Sequence, residues 1–198
     1  MGRVHVNHHP GYHAPRPAHH RELHGHPIRF SHHGHHGYGR YLLAPPARYI
    51  HRVYHGIDYY FWDDIWYRYY AGRYWVCRPP FGYVFTPLAD AVFTAIALNA
   101  LTEETSAPVA KSLNLIRSYA AADTEYFYND GVFYIKGEDG QYMVIVPPAG
   151  ALVDVLPEDY EIFEFEGNTY YKVDNTVYQM TVTEDGKACF EVLGQLAE

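Results

Sequence analysis

Two stretches of the chain, GRYWVCRPPFG (72–82) and GQYMVIVPPAG (140–150), align without a gap at an offset of 68 residues. A repeat on this scale makes each copy one supersecondary unit, and the fold must be one that stacks such units. Both copies follow a hairpin-like stretch, YYFWDDIWYRYY (59–70) and EYFYNDGVFYIK (125–136), with Asp or Asn between two short aromatic runs. A third, more diverged copy reads TYYKVDNTVYQMTVTEDGKACFEV (169–192), where Asp174-Asn175 and Asp185-Gly186 occupy the turn positions.

One unit can be read residue by residue. Asn129-Asp130-Gly131 tolerates positive φ, so strands rich in Tyr, Phe and Val can reverse there and pair. Gly137-Glu138-Asp139-Gly140 then turns the chain into QYMVIV, apolar enough for a central strand, and Pro147-Pro148 ends its ladder because neither proline donates a backbone hydrogen bond. After Gly150 come ALVDVL, a break at Pro157, and YEIFEFEGNTYYKV with a turn at Gly167-Asn168. The expectation is a mainly β protein of repeated aromatic hairpin units, in small sheets or a barrel-like arrangement, with one helical insertion. Residues 1–40 form a His/Pro/Arg-rich arm, 41–100 a first β unit, 101–123 a helical linker and 124–198 two further units. The arm buries too little apolar surface to offset the entropy of ordering and is expected to be disordered. Over 87–99 two signals conflict. Thr86-Pro87 and the Ala/Leu content favour a helix, whereas the repeat continued through 91–98 favours a strand. VAKSLNLIRSYAAAD (109–123) has no counterpart in the other copy and predicts a helix.

Charge divides the chain into thirds. All fourteen histidines lie between His5 and His55, and residues 1–55 carry seven arginines against the single acid Glu22, a net +6. Residues 56–120 net −1, and residues 121–198, with three lysines and sixteen acids, net −13. Acidic β units repel phosphate, which argues against nucleic acid as a partner. The longest apolar run, LADAVFTAIALNAL, is 14 residues and holds Asp90 and Asn99, short of the roughly 20 that a membrane helix needs. MGRVHVNHHP shows no apolar signal-peptide core. Cys77 and Cys189 lack C-x-x-C spacing; they are either two thiols or one long-range disulfide.

Three residue sets are candidates for function. His8, His9, His19, His20, His24, His26, His32, His33, His35 and His36 place many imidazoles on one backbone. Glycine and proline between them suit loose, exchangeable capture of Zn, Ni or Cu rather than a fixed site, and no cofactor is required. As pH falls through about 6.5 the same arm becomes strongly cationic and suited to anionic envelope polymers. Tyr60, Trp62, Trp66, Tyr67, Tyr69, Tyr70, Tyr74 and Trp75 could stack on sugar rings, although strand alternation sends about half of them to the core. The paired acids Asp63-Asp64, Glu138-Asp139, Glu158-Asp159 and Glu184-Asp185 fall in turns, where solvation explains them. No histidine follows position 55, and no H-E-x-x-H, P-loop or G-x-S-x-G is present, so a binding or structural module is expected rather than an enzyme.

The run EYFYNDGVFYIKGEDGQYMVIVPPAGALVDVLPEDYEIFEFEGNTYYKVDNTVYQ resembles a bacterial envelope-protein group, domain-of-unknown-function family 6515. The likeness lies in the Tyr-Tyr pairs, GVFY, VPPAGALV, LPEDY and the closing GNTYYKVDNTVY. It is close over about 124–198 and looser over 56–85. It implies a periplasmic or cell-envelope location and carries no catalytic residue with it. RPPFGYVF is faintly similar to periplasmic proteins of nickel and cobalt homeostasis.

Overall fold

The computed structural model describes residues 37–87 and 91–197. The chain runs through β1 (Tyr41–Leu42), β2 (Ile50–Tyr54), β3 (Ile57–Trp62), β4 (Ile65–Tyr70) and β5 (Arg73–Cys77), which together form the first sheet, in the order β1-β5-β4-β3-β2. Next come β6 (Val84–Phe85), β7 (Thr94–Ala95), β8 (Ala97–Leu98), α1 (Thr102–Thr105) and α2 (Ala107–Ser112). A second meander, β9 (Tyr126–Asn129), β10 (Val132–Lys136) and β11 (Tyr142–Ile145), is followed by β12 (Ala151–Val153). The third meander is β13 (Glu161–Phe165), β14 (Asn168–Val173), β15 (Thr176–Val182) and β16 (Ala188–Gln195). The second sheet is ordered β6-β11-β10-β9-β7 and the third β13-β14-β15-β16-β12-β8. Among the described residues all three are open sheets rather than a closed barrel.

The expected triplication is visible in what each unit buries. A turn led by Asp63, Asp130 or Asp174, each with φ near +50°, opens the central strand of its meander. The first three residues of that strand are then all buried: Ile65-Trp66-Tyr67, Val132-Phe133-Tyr134 and Thr176-Val177-Tyr178. Consecutive burial means that the strand is covered on both faces. From β5 onward the first two copies keep the offset of 68, but their hairpins align at 67. The two-residue turn Ala71-Gly72 in one is matched by a longer turn in the other, where Gly137 N donates to Gln141 O at 2.8 Å.

The units interlock by passing strands forward. β6, which follows Pro79-Pro80, pairs with the last strand of the second meander, and β12, which follows Pro147-Pro148, pairs with the last strand of the third. β1 does the same for the first sheet. Val76 N donates to Arg40 O at 2.8 Å, Val144 N to Tyr83 O at 2.9 Å, and Gly150 N to Val192 O at 2.9 Å. Strands β6, β7 and β8, grouped by sequence with the first unit, therefore pair with the two later sheets.

The conflict at 87–99 resolves to strand: Thr94 and Ala95 pair with Tyr128 and Phe127, and Ala97 and Leu98 with Leu152 and Ala151. The helix predicted over 109–123 is a correction. Helix α2 ends at Ser112, Asn114 takes φ 56°, and the chain then runs extended. Ile116 exchanges two 2.8 Å backbone bonds with Gln195, and Val109, Leu113 and Leu115 pack on Phe163, Tyr170, Val177 and Leu193. Burying those apolar side chains under the third sheet outweighs the helical preference of the sequence.

Candidate functional site

On one face of the first sheet, cross-strand register collects tyrosines. Tyr60 stands opposite Tyr67 and His51, and Tyr69 opposite Tyr74. The rings form a continuous row: Tyr49 to Tyr60 at 5.2 Å, Tyr60 to Tyr74 at 5.1 Å, and Tyr74 to Tyr69 at 4.8 Å between centroids. Tyr60 and Tyr74 meet across the strand that carries Tyr67, leaving Tyr67 only 1% exposed, while Tyr49 and Tyr69 stay 41% and 53% exposed. Burial, and then the nearby Asp58, raises the Tyr60 phenol; burial and the neighbouring phenols raise that of Tyr74. These hydroxyls therefore stay protonated donors through neutral pH. Beside Tyr60, whose ring centroid lies 5.3 Å from that of His51, His51 Nε2 lies 2.6 Å from Asp58 Oδ1, both side chains exposed. The face thus offers flat apolar rings edged by hydroxyls, an imidazole and a carboxylate.

The other candidate aromatics have structural work. Trp66 is buried against Phe61, Tyr59, Tyr54 and Tyr83. Trp75 stacks on Tyr70 at 5.2 Å, donates Nε1–H to Tyr70 O at 3.2 Å and sits against Tyr41. Trp62 is half-buried.

The ten arm histidines, from His8 to His36, lie outside the described residues. Among the described residues no three His, Cys, Asp or Glu side chains gather to hold a metal. Cys77 and Cys189 are unpaired, and burial pushes the Cys77 thiol far up.

Arg78 is the residue that sequence reasoning missed. It is buried, and its Nη2 and Nη1 donate to Asp159 Oδ1 and Oδ2 at 2.6 and 3.1 Å. Nη1 also reaches Asp174 Oδ2 at 3.0 Å, Nε donates to Asp130 O at 3.1 Å, and the guanidinium lies 4.0 Å from the Tyr38 ring centroid. Burial works against its charge, but Asp174 and Asp159 outweigh burial and hold the pKa above the ordinary value. Gly131 makes room for it, since a Cβ there would fall 2.5 Å from Arg78 Nε. A signal did exist: the repeat sets Arg78 against Val146, a charge at an apolar position. Of the paired acids, Asp159 is thus more than a solvated turn residue. A second buried cluster surrounds Glu191, which accepts from Thr102 Oγ1, from Gln179 Nε2 at 3.1 Å, and has Ser106 Oγ at 2.9 Å. A shallow cleft of about 230 Å³ elsewhere is lined by Tyr119, Tyr126, Ile135, Ile145, Val146 and Pro148, without a charged group.

Fold and site together define a strand-sharing array of three antiparallel meanders with an aromatic outer face at one end. Residues 103–195, which begin within α1 and hold α2 and the second and third meanders, match a family described as a family of unknown function (DUF6515), so the resemblance read from the tyrosine pairs holds there. No curated protein and no solved structure matches the chain. No helix among the described residues is long and apolar enough to cross a membrane.

Proposed function

We propose that the protein is a non-enzymatic binding module of the bacterial cell envelope that holds cell-wall glycan on the tyrosine row of its first sheet. The observation that carries this reading is the row Tyr49–Tyr60–Tyr74–Tyr69, exposed at Tyr49 and Tyr69 and flanked at Tyr60 by His51 and Asp58. Pyranose rings present an apolar C–H face that stacks on aromatic rings, and hydroxyls that pair with phenol, imidazole and carboxylate groups at their rim. Binding of peptidoglycan fragments by the full chain should weaken about fivefold in Tyr69→Ala, with the fold unchanged, because one exposed ring contributes on the order of 1 kcal/mol. Wild-type binding by both Tyr69→Ala and Tyr49→Ala would remove the row from the site.

The arm supports a second activity, exchangeable capture of Zn, Ni or Cu, on the strength of twelve histidines within residues 1–40. Replacing His32, His33, His35 and His36 with Gln in the full chain should lower the metal stoichiometry in a calorimetric titration. An unaltered isotherm sinks it.

A further inference from the structure

Strand sharing leaves very unequal edges. Among the described residues the outer strands of the three sheets are β1 and β2, β6 and β7, and β13 and β8. Four of the six are two residues long and template almost nothing, whereas β2 and β13 have five residues each. A five-residue edge presents a row of outward backbone donors and acceptors ready for another strand. The two long edges belong to the first and the last unit of the array, and they carry opposite charge. Strand β2 reads Ile50-His51-Arg52-Val53-Tyr54, with its first four residues exposed, and Arg48 precedes it. Strand β13 reads Glu161-Ile162-Phe163-Glu164-Phe165 and runs into Glu166.

We propose that β2 of one copy pairs antiparallel with β13 of a second copy, so that the chain assembles head to tail through edge strands. The register that sets His51 opposite Glu164 also sets Val53 opposite Ile162 and Ile50 opposite Phe165; Arg52 faces Phe163 and lies diagonal to Glu161, whose carboxylate Lys172 also holds at 3.0 Å, so two apolar pairs and two contacts of basic with acidic side chains form across the strands. Pairing β2 with β2 about its centre would instead oppose Arg52 to Arg52, which like-charge repulsion disfavours. Because the two surfaces differ, every complex retains one free β2 and one free β13. Such a heterologous contact propagates into an open filament rather than closing as a dimer.

The test uses the full chain in sedimentation and light scattering, at protein concentrations up to about 1 mM, as suits a small interface. At low ionic strength the wild type should exceed twice its monomer mass of 22.9 kDa, and return towards it in about 0.5 M salt, where the Debye length is only a few ångströms. Arg52→Glu and Glu164→Arg each lie on an exposed edge and each should remain monomeric alone. Their mixture is the decisive arm. The intact β13 of the first variant and the intact β2 of the second should join into a one-to-one dimer that grows no further. A monomeric wild type, a Glu164→Arg protein that still associates, or a mixture that stays monomeric each overturns the proposal. Unchanged circular dichroism and melting of both variants exclude misfolding as the cause of any loss.

Discussion

The first and second meanders bury the same three central positions and end in the same Pro-Pro bend, yet they use the residue before the prolines in opposite ways. In the second, Val146 stays within its own neighbourhood, lining the shallow cleft with Tyr119 and Ile145. In the first, Arg78 reaches across to the Asp130 turn of the second meander and to Asp159 and Asp174 of the third. The backbone course, including the strand passed forward, is common property, and one side chain adds to it a polar tie between units that the second meander lacks. A buried cation held by two carboxylates and a carbonyl is stable only as a set, because any member left alone must be desolvated without compensation.

Breaking this tie should give the largest effect. Arg78→Leu is expected to cost about 3 kcal/mol, since Asp159 and the Asp130 carbonyl lose their partner, whereas Val146→Ala at the matching position should cost about 1 kcal/mol. Urea denaturation of the two variants measures the gap, and equal losses would mean that Arg78 ties nothing. The prolines' partner glycines sharpen the contrast at a smaller scale. Gly82 and Gly150 share φ 84°, but an added Cβ meets only His55 Nε2 at 3.9 Å in the first and Thr102 Oγ1 at 2.7 Å in the second. Gly82→Ala should therefore cost about 1 kcal/mol from the backbone alone, and Gly150→Ala about twice that, because Thr102 must also leave Glu191. Their difference in melting temperature is the readout.

The smallest effect is alkaline. Burial, then Asp63, pushes the Tyr67 phenol up to about 12 from its ordinary 10. Between those values the unfolded chain has released a proton that the folded chain keeps, so raising the pH favours unfolding. Stability present below pH 10 should fall by on the order of 1 kcal/mol as pH rises towards 12. Trp62, Trp66 and Trp75, the only three tryptophans, all lie in the first sheet, so fluorescence reports that sheet alone. Tyr67→Phe should flatten the response.

Much of this architecture was legible in the chain because hairpins are local. Asp130-Gly131 and Asp174-Asn175 mark turns from two adjacent residues, and the Pro-Pro-x-Gly repeat marks where each ladder stops. The Gly167-Asn168 turn was read one residue late; Glu166 and Gly167 form it, with φ 50° and 79°. What stayed hidden was non-local. Strands β7 and β8 have two residues each, too few for any periodicity, and exist because the edges of β9 and β12 need partners. The 109–123 segment has good helix formers but is drawn out by the third sheet. At the site, the aromatic density of 59–75 was plain, whereas the side that each ring faces follows from register: Trp66 goes inward and Tyr69 outward. Tyr49 and the His51–Asp58 pair join the row only once β2 lies beside β3.

The forward passing of strands also bears on how such a chain can change in length. The segment that the sequence repeats and the sheet that folds are out of phase by one strand. A cut made where the family match begins, at residue 103, would take β6, β7 and β8 away from the two sheets they complete. Removing one whole repeat from the interior, by contrast, deletes a donor together with an acceptor, and every remaining sheet still receives a strand from upstream. Lineages of such proteins should therefore lengthen and shorten in steps of one repeat, with breakpoints inside sheets rather than between them.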